Sequence, residues 1–224
     1  MSANVSVARE GAIATVTLSN PGKLNALTVA MWQALTRAMA ALSADDALRC
    51  VVLRGAGEQA FAAGADIAEF ATVRDNVEQG KRYHRGLVYG ALKALDQCRH
   101  PTIAMIHGPC VGGGLEIACQ CDLRIAGAAA RFGVPINRLG FPIAYDELRA
   151  LLPVVGRAAA LEILIEGRVW SADEAYAKGL LSRVVPDASL EAEIEENFAY
   201  FNTEDYRIGY EAFIKKKKPK FVGR

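Results

Sequence analysis

The sequence has 224 residues, a formal net charge of +1 and 52% hydrophobic residues. These values are typical of a globular protein with one medium-sized domain, or with one domain and a small appendage. The balanced charge argues against a nucleic-acid partner, and no apolar run is long enough to span a bilayer, since Glu162 and Glu166 interrupt the best candidate.

The cysteine content predicts a reducing compartment. The chain contains five cysteines: Cys50, Cys98, Cys110, Cys119 and Cys121. At least one must stay unpaired, and most lie among apolar neighbours, where a reduced cysteine behaves as a small hydrophobe. The last two are one residue apart, which is not the usual spacing of a metal or redox pair. The first ten residues do not resemble a signal peptide. We therefore predict a cytoplasmic protein without a metal site.

The first part of the chain alternates between strand and helix patterns. Residues 5–7 and 12–18 are apolar and β-branched around a Glu10-Gly11 turn, which predicts a hairpin. Thr28 is a plausible N-cap for the helix that follows. The predicted buried stripe of this helix consists of Met31, Leu35, Ala38 and Leu42.

The rest of the chain continues this alternation. We predict strands at residues 50–53, 102–106, 123–126 and 182–185, and helices at 76–98, 115–119, 157–165 and 172–178, with Asp66 capping another helix. Residues 132–142 form a predicted loop rich in glycine and proline, and the residues after 185 have a helical pattern. Apolar strands alternating with helices predict an α/β layered fold covered on both faces.

Two strand-to-helix junctions share an unusual pattern of very small residues. The first is residues 61–66, with the sequence FAAGAD, and the second is residues 112–116, with the sequence GGGLE. Free N–H groups and the positive end of a helix dipole meet at such a junction, and glycine allows a ligand to approach the backbone closely. One N–H from each junction could form an oxyanion hole for a carbonyl oxygen. Small residues at these positions also serve close packing of helix and strand.

Glu116 is the candidate acid or base. It lies three residues after Gly113 and therefore on the same helix face. A glutamate in the first turn often serves only the helix dipole. Its neighbours are apolar, however, and a carboxyl group in such surroundings resists ionisation and suits proton transfer near neutral pH.

In this order, four segments resemble the signature of the crotonase (enoyl-CoA hydratase/isomerase) family: NPGKLNAL at residues 20–27, AFAAGADI at 60–67, GPCVGGGLEIACQCDLRIA at 108–126, and Phe132-Gly133 with Pro135. The resemblance spans about residues 5–186. It implies a spiral of repeated ββα turns and a helical C-terminal region that packs in trimers, often paired into hexamers. We accordingly expect a spiral core at residues 1–186 and a trimerisation region at 187–224.

The resemblance also implies roles for particular residues. The N–H groups of Ala65 and Gly113 would hold a thioester carbonyl, and Glu116 matches the first of two hydratase carboxylates. Residues expected to contact the coenzyme A substrate are Lys23, Leu24, Ala26, Ala63, Asp66, Ile67, Gly112 and Ile136. Coenzyme A arrives as part of the substrate, so no separate cofactor is expected.

The chain departs from the family pattern at two places. Hydratases carry a second glutamate directly after the proline at position 135, where this chain has Ile136. Asp146 and Glu147 are nearby carboxylates that could compensate for it, but the interpretation that we favour is the start of a surface helix. After Glu193, about two helices of the family pattern are missing, which indicates a natural deletion or an omitted segment.

Three functions remain open at this point. The first is an enoyl-CoA hydratase that adds water to a trans-2-enoyl-CoA. The second is an isomerase or decarboxylase, which needs a single carboxylate or a mainly apolar pocket and so fits Ile136. The third is a non-catalytic acyl-CoA-binding scaffold.

Overall fold

The computed structural model of the protein describes residues 2–140, 143–199 and 204–223. The strands are β1 Asn4–Glu10, β2 Ile13–Ser19, β3 Cys50–Gly55, β4 Thr102–Ile106, β5 Pro109–Val111, β6 Leu123–Gly127, β7 Arg131–Gly133, β8 Val169–Ser171 and β9 Arg183–Val185. The α-helices are α1 Val29–Ser43, α2 Phe70–Val73, α3 Val77–Lys81, α4 Tyr89–Asp96, α5 Gly113–Gln120, α6 Tyr145–Leu161, α7 Ala172–Ala177, α8 Leu190–Ala199 and α9 Glu204–Ile214.

Within these described ranges the strands form two sheets. The larger sheet has the order β1-β2-β3-β4-β6-β9, in which β1 and β2 are an antiparallel hairpin and all other neighbours are parallel. The smaller sheet has the order β5-β7-β8. The predicted hairpin and the predicted strands at 50–53, 102–106, 123–126 and 182–185 are therefore confirmed, with ends that differ from the predicted ones by at most three residues.

The chain repeats one unit as it winds through both sheets. Strand β4 lies in the large sheet, β5 in the small sheet, and helix α5 follows; β6, β7 and α6 repeat this order. The preceding turn has β3 in the large sheet and a single bridging residue, Ala62, beside Cys110 of β5. This is the predicted α/β spiral of ββα units, and it brings each strand-to-helix junction next to that of the following unit.

The large sheet separates two groups of buried side chains, because successive strand residues point to opposite faces. On β3, Val51 and Leu53 face the main core with helix α1, whereas Cys50 and Val52 face the other side. Helix α8 covers that second side with Leu190 and Ile194. Both faces of the sheet are covered, as its continuous apolar strands predict.

Helix α1 begins as predicted but buries a different stripe. Thr28 accepts a hydrogen bond from the Met31 N–H at 3.2 Å, as an N-cap does. The buried residues are Met31, Trp32, Leu35 and Met39. Ala38 and Leu42 are only partly buried, because Trp32 and Met39 turn toward the core instead.

The segment before strand β8 is more helical than predicted. Helix α6 begins at Tyr145, twelve residues before the expected start, and continues through a kink at Gly156, whose φ is 74°. A π-helical turn, Glu162–Glu166, completes it. The helix predicted from residue 157 therefore corresponds only to the second half of this helical segment, because the kink at Gly156 interrupts its apolar pattern. The segment predicted as a loop, residues 132–142, instead contains the end of strand β7 and a 3-10 turn, Pro135–Leu139; its residues 141 and 142 lie outside the described residues.

The C-terminal region contains helices α8 and α9, as its helical pattern predicts. The proposed shortening after Glu193 lies close to residues 200–203, which are outside the described ranges, and both it and the boundary at 186 stay predictions. In the described residues, no helix is long and apolar enough to cross a membrane.

All five cysteines are free thiols, and four of them are buried. Burial raises the pKa of Cys50 to about 12 and that of Cys119 to about 12. It also raises the pKa of Cys110 and Cys121 above the usual range of a thiol. These thiols act as small apolar groups of the core rather than as nucleophiles.

The loop between β2 and α1 is held by the buried side chain of Asn25. Its amide accepts a hydrogen bond from the Asn20 N–H at 3.2 Å and donates to the carbonyls of Ala60 at 2.8 Å and Ala56 at 3.2 Å. Asn25 also has a φ of 57°, a left-handed conformation that asparagine tolerates better than most residues. This residue ties the loop at 20–27 to the first small-residue junction.

We expect Asn25→Ala to lower the free energy of unfolding by about 2–4 kcal/mol, because it removes three hydrogen bonds and leaves buried polar groups unpaired. Urea unfolding of the two proteins measures this difference. Asn4→Ala, on the exposed start of β1, is the control and should stay within about 0.5 kcal/mol of the parent. Equal stability of the Asn25 variant and the parent would contradict the assignment.

Candidate active site

The two small-residue junctions run side by side. Ala62 and Cys110 form a parallel bridge, and the Val111 N–H donates to the Ala62 carbonyl at 2.9 Å. Because the two segments keep this register, the residues after them, Ala65 and Gly113, enter the same region. The spatial proximity predicted from the two sequence patterns is confirmed.

Glycine is required where the junctions touch. Gly64 and Gly112 have φ values of 93° and 51°, which side-chain-bearing residues rarely adopt. A Cβ atom on Gly112 would lie 3.6 Å from the Gly64 Cα, and one on Gly64 would lie 3.3 Å from the Val111 carbonyl oxygen. The glycines therefore serve close packing as well as leaving backbone atoms open to a ligand.

Two backbone donors are available at these junctions. Ala65 and Gly113 line one cavity, and no acceptor within the described residues takes either N–H. Gly113 is the first residue of α5, so its N–H also lies at the positive end of the helix dipole. Trp32 packs so closely that a Cβ on Gly113 would lie 2.9 Å from its ring.

The cavity has a volume of about 140 Å³ and mostly apolar walls. Residues from both junctions, from the helices between β3 and β4, and from the segment after β7 line it: Trp32, Ala63, Gly64, Ala65, Ile67, Phe70, Arg74, Tyr83, His84, Val88, Val111, Gly112, Gly113, Glu116, Val134, Pro135, Ile136, Ile143 and Glu147. The cavity thus contains seven of the eleven catalytic and substrate-binding residues expected from sequence: Ala63, Ala65, Ile67, Gly112, Gly113, Glu116 and Ile136.

Glu116 projects into this cavity from the first turn of α5 and is only 9% exposed. Burial raises the pKa of its carboxyl group well above the usual range, and the nearby Glu147 carboxylate raises it further. The Arg74 guanidinium acts in the opposite direction and lowers it. The predicted apolar setting of this carboxyl group is confirmed, and a protonated Glu116 can serve as a proton donor near neutral pH.

A second carboxylate reaches the same cavity from helix α6. Glu147 is 7% exposed, and its Oε1 contacts His84 Nδ1. The interpretation of Glu147 as part of a surface helix is therefore wrong: it does lie in the first turn of a helix, but packing turns this face of α6 inward. The side chain of Asp146 is outside the described part of the structure.

A cation and two aromatic rings complete this end of the cavity. The Arg74 guanidinium lies 4.2 Å from the ring centre of Phe70 and 5.3 Å from that of Tyr83, within cation–π range. Burial raises the pKa of Tyr83 to about 12, so its hydroxyl stays neutral. These residues come from the segment at 70–84, whose sequence lacks a motif that would have revealed them.

The remaining residues named from sequence form a wall beside the cavity. Lys23 Nζ and Asp66 Oδ2 are 2.7 Å apart, and this hydrogen bond holds the pKa of Asp66 below its usual range. Leu24 is 45% exposed and Ile67 is 54% exposed, so two large apolar side chains remain open to solvent here. Ala26 is buried and its N–H donates to the Lys23 carbonyl at 2.9 Å, which shapes the loop.

Metal-ligating side chains do not cluster in this site. Across the described ranges, no three His, Cys, Asp or Glu residues are grouped so that they could hold a metal ion. The chemistry available to the protein's own groups is hydrogen bonding by two backbone N–H donors and proton transfer by buried carboxyl groups.

Comparison with known proteins finds the same arrangement of segments. Residues 8–199 match the model of the enoyl-CoA hydratase/isomerase family. A probable enoyl-CoA hydratase of Rhizobium meliloti is 33% identical over 97% of this chain and 97% of its own length. That alignment spans 259 positions, more than this chain has residues, so the relative carries residues that this chain lacks.

Two further proteins support this similarity. A short-chain-enoyl-CoA hydratase of Clostridium acetobutylicum is 35% identical over 84% of this chain and 70% of its own length. The crystal structure of an enoyl-CoA hydratase/carnithine racemase of Magnetospirillum magneticum is 43% identical, with a TM-score of 0.85 over 98% of this chain and 96% of that one. With its ββα spiral, paired junctions and matching sequence, the chain belongs to the enoyl-CoA hydratase/isomerase family.

Proposed function

We propose that this protein is an enoyl-CoA hydratase, which adds water across the C2–C3 double bond of a trans-2-enoyl-CoA. The observation that carries this proposal is that one small apolar cavity is lined by a buried carboxyl group and by two residues, Ala65 and Gly113, whose N–H groups have no acceptor within the described residues. The relatives that are named as enoyl-CoA hydratases support the same choice of substrate.

The two N–H donors suit a thioester carbonyl whose oxygen gains negative charge. When water attacks C3, the π electrons move toward the thioester and an enolate-like state forms. The Ala65 and Gly113 donors would stabilise its oxygen, and the dipole of α5 would add to their effect. Loss of one donor of this kind typically slows a reaction by about 10²–10³-fold.

Glu116 would act as the acid/base group. Burial raises the pKa of its carboxyl group well above the usual range and so favours the protonated form, which has a proton for the α-carbon of the enolate. The cavity volume of about 140 Å³ suits a short acyl group.

The coenzyme A part of the substrate would lie along the wall beside the cavity. Exposed Leu24 and Ile67 offer apolar contacts to an adenine ring or pantetheine chain, and Ala63 leads into the cavity. The Lys23–Asp66 ion pair holds the two loops of this wall together.

A 1,3-isomerisation of the double bond is the second candidate function. Ile136 lines the cavity at the position where the family pattern has the second hydratase glutamate, and it cannot transfer a proton. An isomerase needs one carboxylate that removes a proton from one carbon and returns it to another, which Glu116 could do.

We also propose that the chain forms trimers or pairs of trimers through residues 187–224 and resides in the cytoplasm, without a cofactor besides the substrate's own coenzyme A. Its five free thiols support a reducing compartment. Light scattering after gel filtration should give a mass of three or six times 24.0 kDa, and a monomer would contradict the assembly.

The wild-type protein should consume a short trans-2-enoyl-CoA, with loss of the absorbance of the conjugated thioester. Glu116→Gln should lower kcat by about 10²-fold or more while it preserves binding of coenzyme A, because an amide cannot transfer the proton. Glu166→Gln, an exposed substitution, should leave the rate unchanged. Turnover of a 3-enoyl-CoA alone would favour the isomerase. A wild-type protein that binds a trans-2-enoyl-CoA, a 3-enoyl-CoA and a malonyl-type thioester but converts none of them would be a scaffold.

The raised pKa of Glu116 also predicts a pH-dependent stability. In the unfolded chain a glutamate ionises near pH 4.3, whereas the folded protein keeps Glu116 protonated to higher pH, so unfolding becomes progressively more favourable as pH rises between these two values. Glu116→Gln lacks this titration. The variant should therefore gain stability relative to the parent as pH rises from about 4.3 to the folded-state pKa of Glu116, by about 1.4 kcal/mol per pH unit within that window and by no more above it. Thermal melts at pH 5 and pH 7.5 test this, and a constant difference would contradict it.

A further inference from the structure

The cavity holds a carboxylate that the family pattern does not provide. Glu147 enters from α6 and Glu116 from α5, and these two helices pack against each other. Both carboxyl groups are more than nine-tenths buried, and the Glu147 charge affects the titration of Glu116. Two carboxyl groups close together in an apolar cavity are unfavourable for folding, because each disfavours the ionisation of the other. Such pairs are found where proton transfer requires them.

Hydration needs two proton transfers at different atoms. Water must lose a proton as its oxygen bonds to C3, and the α-carbon must gain one. A single carboxyl group would have to make both transfers, taking a proton from water on one oxygen while it gives a proton to the α-carbon from the other, and Ile136 cannot share this task. Glu147 lines the same cavity as Ile136, so a carboxylate is present even though the expected position has none.

His84 fixes the orientation of Glu147. Its Nδ1 contacts Glu147 Oε1, and the ring packs edge-on against Tyr83 with the ring centres 5.2 Å apart. In the tautomer with the proton on Nδ1, the ring donates to this oxygen and leaves the other carboxylate oxygen available to a water molecule. His84 lies on the π-helical turn Arg82–Val88, which packs against α6.

We propose that Glu147, positioned by His84, is the second proton-transfer residue of this site and takes the place of the missing glutamate at position 136. This inference rests on the proposed hydratase function. The Glu147 carboxylate takes a proton from water as the water oxygen bonds to C3. The π electrons move to the thioester enolate, whose oxygen is held at the Ala65 and Gly113 N–H groups, and Glu116 gives its proton to C2.

The step balances within the cavity. Water contributes one hydroxyl group to C3 and one proton to Glu147, while C2 receives the proton of Glu116. A proton then passes from Glu147 back to Glu116 and restores the starting state. Besides these two groups, the ionisable side chains that line the cavity within the described residues are His84, Tyr83 and Arg74. The Arg74 cation reduces the repulsion between the two carboxylates.

Two reactions separate the roles of the carboxyl groups. Hydration of a short trans-2-enoyl-CoA requires both, whereas exchange of the α-hydrogen of a saturated acyl-CoA with D₂O requires only the oxyanion hole and Glu116. Glu147→Gln should lower kcat for hydration by about 10²–10⁴-fold and change α-exchange by no more than a few fold. Glu116→Gln should lower both. Glu166→Gln is the surface control for both assays.

The outcomes distinguish this inference from the function on which it rests. If Glu147→Gln hydrates the substrate at the wild-type rate, the proposed role of Glu147 is overturned and the hydratase proposal stands. If Glu147→Gln is folded and binds coenzyme A but loses both reactions, the proposed role of Glu147 is also overturned, because Glu147 would then transfer the proton at the α-carbon. Absence of hydration by the wild-type protein would overturn the hydratase proposal itself.

Two further variants distinguish chemistry from packing. Adding Ile136→Glu to Glu147→Gln returns a carboxylate to the cavity and should raise the rate of hydration at least tenfold. If the double variant is folded and exchanges the α-hydrogen at the wild-type rate but does not recover hydration, the loss in Glu147→Gln is not due to a missing carboxylate. For the positioning residue, His84→Ala should lower kcat more than it changes KM. His84→Asn, whose amide can replace the Nδ1 donor, should recover part of kcat. Equal rates for the two His84 variants would remove His84 from the positioning role.

Discussion

The site depends on the close contact between two strand-to-helix junctions. Gly64 and Gly112 both adopt left-handed φ values that residues with a side chain rarely adopt, and a Cβ on Gly64 would lie only 3.3 Å from the Val111 carbonyl oxygen. This contact sets the positions of Ala65 and Gly113, and so of the two free N–H groups. Because the junctions belong to successive turns of the same spiral, the register of the sheets controls the geometry of the site. A shift in one turn would separate the two donors.

A second constraint is the burial of charge beside these donors. Apolar walls strengthen the interaction between an N–H group and a developing oxyanion, because the effective dielectric constant is low. The same walls make ionisation of Glu116 unfavourable and bring it into conflict with Glu147. The protein moderates that conflict with a cation, Arg74, and with a hydrogen-bonding ring, His84. Burial of these carboxyl groups lowers the stability of the folded protein, and in our proposal it gives them the ability to transfer protons.

In our proposal for Glu147, the fold preserves a chemical group while its place in the sequence changes. Ile136 and Glu147 are eleven residues apart in the sequence, yet both line one cavity. A motif-based comparison examines one sequence position and finds an isoleucine. The cavity requires only a carboxylate within reach of the substrate, and helix α6 offers a second place from which to provide it.

The sequence by itself determined the strands of the large sheet, both small-residue junctions and the buried setting of Glu116, because these depend on local patterns of apolar and small residues. The ββα order was implied by the resemblance to the family, and the short strands of the small sheet were recognised only in the tertiary structure. Only the tertiary structure decided which face of α6 turns inward, and hence that Glu147 is buried beside His84, 63 residues away. The tertiary structure also brought Arg74 and Tyr83 into the cavity. Contacts of this kind depend on how separate helices pack, and a single side chain at a helix start has the same local pattern whether it faces solvent or a cavity.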